Sequence, residues 1–452
     1  MKPVVPWQPV DVAKGSLVAF VTRIVAILFL AALSAVAART LPVAEFGAFR
    51  TATVAIGVTA AVAGSFSVSF GYFVANQRRP EAEVASNGML LSAAVGLAAL
   101  FVTVPAALLL DGAYARYALL VGLSVFPIVA RSGVGGVFLG ANRIVPYVFA
   151  ANGYGIVALP LFLLWVVLPD RRTAADALAA WIAAQYAALG VLALWGRRWW
   201  GWLTRHRPDP ALMRRMLSYG SLTGLAGVVS FLNYRIDQLL VAGLDGARGA
   251  GIYAAGVTAA EGLWIFSSAV AVATYAPIGS LDRRAAAELA ARAVRHTLLL
   301  VSALALPLLL FAEPMLAAVF GGTYREAGWA LRILVLATLL YAPQGIVSNF
   351  YSVQLGRPSI PLALAASSAL INVALSFLLI PRIGFVGGAW ATFASYAAVS
   401  AASVLLFARL AGLPPWELFR LRRSDLRSYG DLLERLRRRM PFARAARPAP
   451  GS

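Results

Sequence analysis

The sequence predicts an all-α integral membrane protein whose chain crosses the bilayer about twelve times. Of its 452 residues, 60% are hydrophobic and only 13% are charged, whereas soluble domains carry about 25% charged residues. The apolar residues form repeated runs of about 20, which is the length that a helix needs to cross a hydrocarbon core of about 30 Å. The basic residues are also distributed unevenly between alternate loops, as in multi-span membrane proteins.

Twelve apolar runs are long enough to form transmembrane helices. We place the first six at about 16–38, 46–74, 84–109, 115–139, 145–168 and 176–196. The second six lie at about 216–243, 250–278, 295–319, 329–354, 360–381 and 385–411.

The loop charges predict the orientation of these spans. With a cytoplasmic N-terminus, 27 Lys and Arg residues lie on the inner side and seven lie in outer loops. Basic residues concentrate on the cytoplasmic side of membrane proteins, so we expect both termini in the cytoplasm of a bacterial inner membrane. We attribute the net charge of +20 to this bias and expect no nucleic-acid partner.

A cleaved signal peptide ending near Ala35–Ala37 is the alternative for the first span, but that run is long and contains Arg23.

The motifs of common enzyme classes are missing. The chain has no cysteine, no G-x-x-x-x-G-K-[ST] phosphate loop and no H-E-x-x-H zinc motif. The predicted outer loops are also short, which argues against a catalytic site on the outer face. We therefore expect no enzyme activity, no bound metal and no organic cofactor.

Three pairs of matching motifs indicate that the chain contains an internal duplication. They are Phe46–Phe49 with Ala250–Tyr253, Leu139–Gly140 with Leu355–Gly356, and Gln185–Tyr186 with Ser395–Tyr396, at spacings of 204, 216 and 210 residues. Transporters are often built from such repeats, with the substrate site between them. We expect two pseudo-symmetric six-helix bundles around a central cleft.

This duplication divides the chain into four predicted parts. They are an N-terminal six-helix bundle (1–196), a basic cytoplasmic linker (197–215), a C-terminal six-helix bundle (216–411) and a basic amphipathic cytoplasmic tail (412–452). Trp199, Trp200 and Trp202 of the linker are expected in the aromatic belt at the membrane surface.

Five charged side chains lie deep inside predicted spans and are the candidate site residues: Arg23, Arg131, Arg235, Asp237 and Glu261. A charge at the bilayer centre costs at least about 2.5–3.5 kcal/mol, so these side chains should face protein or water. We expect the arginines to line the cleft and bind substrate, since a guanidinium can contact phosphate oxygens at two points. Asp237 or Glu261 would bind a coupling ion, H+ or Na+, or have a structural role.

Arg235 and Asp237 leave two interpretations open. They are about 200° apart on a helix, so each needs a different neighbour. In the structural interpretation, Asp237 pairs with a basic residue of an adjacent helix and Arg235 caps a carbonyl. In the functional one, Arg235 faces the cleft.

Arg50 and Arg332 lie near span ends, where their side chains can snorkel to the surface.

Glycines cluster in the fourth span just after Arg131. Gly133, Gly135 and Gly136 are candidate hinge residues, because glycine loosens a helix. The alternative is that they allow close packing against neighbouring helices.

Two motifs resemble polysaccharide flippases of the multidrug/oligosaccharidyl-lipid/polysaccharide (MOP) superfamily. Ala38–Phe49 (ARTLPVAEFGAF) resembles the family's R-x-L-G-P-x-E-F-G-x-Y junction, with Leu41-Pro42 where Gly-Pro is usual. Tyr234–Leu240 (YRIDQLL), followed by Gly251–Ala254 (GIYA), is similar to its R-x-D-x-x-x-[LI]-G…G-x-Y-x-x-A pattern. The similarity covers nearly the whole chain.

This resemblance implies a V-shaped bundle, like that of the multidrug exporters of the superfamily, which opens alternately to each side. It implies an undecaprenyl-diphosphate-linked oligosaccharide as cargo, flipped to the outer leaflet for O-antigen or exopolysaccharide export. Candidate partners are membrane lipids, a polysaccharide polymerase and glycosyltransferases. The alternative function is a cation-coupled multidrug or small-molecule exporter. Twelve spans, rather than the fourteen of lipid II flippases, disfavour that subfamily.

Overall fold

The structure is a computed structural model that describes residues 12–109, 112–202 and 207–420. This part of the chain is helical, with short turns between successive helices. The long helices are explained by the runs of apolar residues, since a backbone in lipid must satisfy its own hydrogen bonds. The helices α1–α8 are Val12–Thr40, Val43–Ala75, Glu81–Leu109, Gly112–Gly140, Ile144–Phe162, Ala174–Trp195, Pro210–Leu244 and Gly246–Glu261. The helices α9–α15 are Trp264–Ser280, Arg283–Leu310, Ala312–Phe320, Gly328–Tyr341, Gln344–Asn349, Ser359–Ile383 and Phe385–Ala411.

The described helices make this a multi-pass membrane protein. Nine helical segments are long and apolar enough to cross a membrane, and α8 with α9, bent by 41°, would form a tenth. These ten coincide with predicted spans two to six and eight to twelve. The remaining two predicted spans lie in α1, whose apolar part is the shorter Ile24–Thr40, and in the 35-residue helix α7. The total of twelve stays a prediction.

The chain forms two compact units. The first contains the described residues within 1–259, 311–334 and 365–395, and the second contains those within 260–310, 335–364 and 396–452. The units therefore do not follow the linear division at 197–215. That division rests on the sequence duplication and stays a prediction.

Within the first unit, α2 and α8 are in contact at Gly47 and Gly251. These two glycines occupy matching positions in the first pair of repeated motifs. A Cβ atom on Gly47 would lie 1.8 Å from the carbonyl oxygen of Ala247 and 2.7 Å from the nitrogen of Gly251. A Cβ atom on Gly251 would lie 2.3 Å from the carbonyl oxygen of Val43 and 3.1 Å from the nitrogen of Gly47. Such reciprocal contact is what two-fold-related elements make. Only glycine permits the two backbones to approach this closely.

Replacement of Gly47 by alanine is expected to destabilise the protein, by about 1–3 kcal/mol or more, because the new methyl group meets backbone atoms that cannot move independently. Thermal unfolding of the detergent-solubilised protein measures the effect. Gly64→Ala in the same helix is the control, since its added Cβ would have no described atom within 4 Å apart from the backbone of its own helix. An unchanged melting temperature for Gly47→Ala would contradict the contact.

Two helix N-termini of the first unit are capped in a matching way. Glu45 Oε2 accepts a hydrogen bond from the backbone N–H of Ala174, at the start of α6, at 2.6 Å. Asp245 Oδ2 accepts one from the N–H of Phe385, at the start of α15, at 2.9 Å. The first turn of a helix leaves N–H groups without partners, and a carboxylate there also suits the helix dipole. The two carboxylates lie 200 residues apart, whereas the matching glycine motifs lie 204 apart, so the duplication stays a prediction.

Trp199 of the linker is packed within the first unit. Trp199 is only 5% exposed, its ring lies 4.6 Å from that of Phe138, and its Nε1 donates to Glu81 at 3.2 Å. The Trp199 indole is therefore covered by neighbouring helices, and the position of the linker tryptophans in an aromatic belt stays a prediction.

The second unit has its own apolar core, which includes Phe350, Tyr351, Phe407 and Leu418. The start of the tail joins this core, because Leu418 is buried and the carbonyl of Glu417 accepts a hydrogen bond from Arg295 at 2.9 Å. The amphipathic segment predicted farther along the tail lies outside the described residues.

Candidate functional site

Asp237 on α7 lies at the centre of a buried hydrogen-bonded cluster in the first unit. Its side chain is buried, at 5% exposure for the residue. Its Oδ2 accepts hydrogen bonds from the hydroxyl groups of Tyr253 on α8 at 2.5 Å and Thr392 on α15 at 3.0 Å. Its Oδ1 accepts one from the backbone N–H of Gln238 at 2.9 Å. Its hydrogen-bond partners among the described residues are thus two hydroxyl groups and a backbone N–H, rather than the basic residue of an adjacent helix that the structural interpretation expected.

The cluster continues along α14. Asn372 donates from Nδ2 to the hydroxyl of Thr392 at 3.0 Å, and Ser376 donates to Asn372 Oδ1 at 3.3 Å. Both residues are buried, so this chain of polar groups joins α7, α8, α14 and α15 away from lipid. A carboxylate surrounded by hydroxyl and amide oxygens can hold a proton or a small hard cation. We name Asp237, Tyr253, Asn372, Ser376 and Thr392 the acidic cluster.

Gln238 adds a second polar residue at this level of α7. It is 4% exposed, and neither of its side-chain amide atoms hydrogen-bonds to a described residue. A buried amide without a partner costs about 1–3 kcal/mol, so such groups are often kept for function. Gln238 was not predicted as a site residue, because the candidates were charged side chains within spans and an amide carries no charge.

Arg131 on α4 is the most buried of the described candidate arginines, at 7% exposure. Its guanidinium carbon lies 4.8 Å from the centre of the Tyr154 ring on α5, and that ring in turn makes an edge contact with Trp181 on α6. Its Nε has no hydrogen-bond acceptor among the described residues. A cation–π contact satisfies the positive charge only in part, so the N–H groups remain suited to an anionic ligand.

The other candidate charges lie on helices other than α4. Arg235 lies two residues before Asp237 on α7 and is partly buried. Glu261 is the last residue of α8 and belongs to the second unit. The side chain of Arg23, within α1, lies outside the described residues. The roles predicted for these residues stay predictions.

The three candidate hinge glycines lie inside the continuous helix α4. A Cβ atom on Gly133 would meet the Phe70 ring at 2.4 Å, and one on Gly136 would meet the carbonyl oxygen of Ser67 at 2.1 Å. A Cβ atom on Gly135 would meet that of Ala150 at 2.6 Å. These distances favour the packing interpretation, and a hinge role stays a prediction.

Arg50 is a further cation of the first unit, and it was not among the candidate site residues predicted from the sequence. It is partly buried, and its two terminal nitrogens reach the hydroxyls of Ser34 on α1 and Thr258 on α8, each at 3.4 Å. Its guanidinium therefore lies between α1 and α8, and snorkelling toward the membrane surface stays a prediction. Arg332 instead forms a salt bridge with Glu313 at 2.9 Å and lies beside the exposed Trp329.

One protein-family model matches part of the chain. Residues 177–328, which include Arg235 and Asp237, match the family model described as polysaccharide biosynthesis protein. A comparison with curated protein sequences finds no match.

Several solved structures have a similar fold. An inward-facing multidrug resistance MATE family transporter of the MOP superfamily aligns with a TM-score of 0.69 at 16% identity, covering 86% of this chain and 94% of the other. The lipid II flippase MurJ, in an inward closed conformation, aligns at 0.69 and 14% identity, covering 90% and 89%. A MOP superfamily transporter from Pyrococcus furiosus aligns at 0.60 and 16% identity, covering 89% and 95%. The chain is therefore a multi-pass membrane protein with the fold of MOP superfamily transporters, and the resemblance drawn from its two motifs is confirmed at that level.

Proposed function

We propose that this protein is a flippase that moves an undecaprenyl-diphosphate-linked oligosaccharide from the cytoplasmic to the outer leaflet of the bacterial inner membrane. The match of residues 177–328 to the polysaccharide biosynthesis model carries this proposal, because those residues belong to a chain with a transporter fold. Alternating access would expose the substrate site first to one leaflet and then to the other.

The chemistry of Arg131 supports an anionic cargo. A buried guanidinium held by an aromatic ring has N–H donors left for phosphate oxygens, and the apolar surroundings strengthen such charge-assisted hydrogen bonds. Arg235 and Arg50 are further cations on neighbouring helices of the first unit.

We also propose that the acidic cluster is the site where the coupling ion acts. Its carboxylate is that of Asp237, and its hydroxyl and amide groups supply further oxygens for H+ or Na+. Binding of the ion would neutralise the carboxylate and change the hydrogen bonds that join α7, α8 and α15. Such a change could bias one conformation of the transporter over another.

A cation-coupled multidrug exporter is the second candidate, favoured by the likeness to the MATE family transporter. MurJ aligns with the same TM-score, so the fold does not separate the two functions. The buried Arg131 argues against a cationic drug, because it would place two positive charges in one low-dielectric site.

A deletion strain tests the proposal directly. We expect an undecaprenyl-diphosphate oligosaccharide to accumulate on the inner leaflet, because synthesis continues while translocation stops. Mass spectrometry of extracted lipids identifies the glycan, and a membrane-impermeant lectin or glycosidase reports its leaflet. An intact surface glycan with no lipid accumulation would overturn the flippase and favour the exporter.

A further inference from the structure

Three aromatic side chains form a cluster within the second unit. The Tyr341 and Tyr396 rings stack with their centres 4.2 Å apart. Trp264 contacts both rings edge-on, at 5.7 Å from Tyr341 and 6.4 Å from Tyr396. All three residues lie near the middle of their helical segments, so an interfacial aromatic belt does not explain them.

This aromatic cluster lies where two spans are broken. Trp264 is the first residue of α9, immediately after the interruption between α8 and α9. Tyr341 is the last residue of α12, before the turn at Ala342 and Pro343. Interrupted helices are tolerated at membrane depth only where protein or a water-filled cavity covers the backbone, and in transporters they mark binding sites.

Only one ring of the cluster is accessible to a ligand. Tyr341 and Tyr396 are 2% and 5% exposed, whereas Trp264 is partly exposed. The tyrosines thus fix the orientation of the indole. Glu261, also partly exposed, lies three residues before Trp264 at the end of α8. An aromatic ring with a carboxylate nearby suits a sugar ring, whose C–H groups contact the negative π face while its hydroxyls donate to the carboxylate.

The duplication of the chain does not require this arrangement. The position 204 residues before Trp264 is Ala60, which lies within the unbroken helix α2. The break and the indole are therefore specific to the second half. A feature that only one repeat carries is better explained by the cargo than by the fold.

We propose that Trp264 stacks on a sugar ring of the glycan head group, held in place by Tyr341 and Tyr396, and that Glu261 accepts hydrogen bonds from its hydroxyls. This inference rests on the proposed flippase function and adds a specificity-determining site for the glycan. The aromatic cluster would thus distinguish the glycan, while the arginines bind the diphosphate.

Binding of two lipid probes to the full-length protein in nanodiscs tests whether the aromatic cluster recognises the glycan separately from the diphosphate. The two probes are undecaprenyl diphosphate and the same lipid carrying the glycan recovered from the deletion strain. Wild-type protein is expected to bind the glycan-bearing lipid more tightly. Trp264→Ala is expected to weaken that binding about tenfold and leave undecaprenyl diphosphate binding unchanged, whereas Trp264→Phe should retain most of the preference. Trp390→Ala, at a residue 45% exposed, is the matched control.

The outcomes separate this inference from the proposed function. Binding of neither lipid by wild-type protein overturns the flippase and, with it, the sugar site. Equal binding of both lipids by wild-type protein, or an undiminished preference in Trp264→Ala, overturns the sugar site alone. An equal loss for both lipids in Trp264→Ala assigns Trp264 a structural role and also overturns it.

Discussion

Arg131→Ala is expected to lower transport of the lipid-linked oligosaccharide at least about 100-fold, because two charge-assisted hydrogen bonds to phosphate are worth about 3–6 kcal/mol together. Arg131→Lys should restore only part of the activity, since an ammonium group cannot reproduce the planar two-point contact. Translocation into proteoliposomes, measured by protection of a labelled lipid from an external glycosidase, reports the loss.

Arg131→Met separates a binding role from a structural one. Methionine fills a similar volume without a charge, so the cost of burying the guanidinium disappears and the protein should be at least as thermally stable as the wild type. We expect transport to be lost all the same. Arg116→Ala is the control, since Arg116 is an exposed residue of the same helix. Normal transport by Arg131→Met would show that the positive charge has no part in binding cargo.

Asp237→Asn is expected to abolish coupled transport while the protein remains abundant. Asparagine has nearly the same size and keeps an oxygen that can accept from Tyr253, so the helices should still pack. It cannot take up a proton, and it binds a cation more weakly than a carboxylate does. Proteoliposomes with an imposed pH gradient or an imposed Na+ gradient show which ion the wild-type protein uses and whether the variant has lost its response.

The matched control for this prediction is Asp170→Asn. Asp170 is exposed on a turn at positive φ, a conformation that asparagine also accepts, and its partner is the exposed Arg172. Its replacement should leave the ion response intact. Gradient-driven transport by Asp237→Asn at the wild-type rate would exclude the acidic cluster as the coupling site, and a parallel fall in protein abundance would make Asp237 structural.

The membrane class and the approximate positions of the spans could be predicted from the sequence, because the length of an apolar run decides whether a helix can cross lipid. The depth of Arg131 and Asp237 followed from their positions within those runs. The repeated motifs also identified Gly47 and Gly251 as a matching pair, and the structure places these two residues in contact. In each case the information lies along the chain and needs no knowledge of neighbouring helices.

The partners of those residues could not be predicted in this way. Thr392 lies 155 residues from Asp237, and Trp264, Tyr341 and Tyr396 come from three separate segments. Arg50 lies near the end of a predicted span, and its contacts with two other helices are visible only in the structure.

The sequence by itself thus determined that this is a membrane protein of many spans with a few deep charges, while only the tertiary structure decided what each charge and ring contacts. The physical reason is the solvent. In water, polarity distinguishes the outer face of a helix from the inner one. In lipid both faces are apolar, so the direction in which a helix turns its polar residues is set by close packing against other helices.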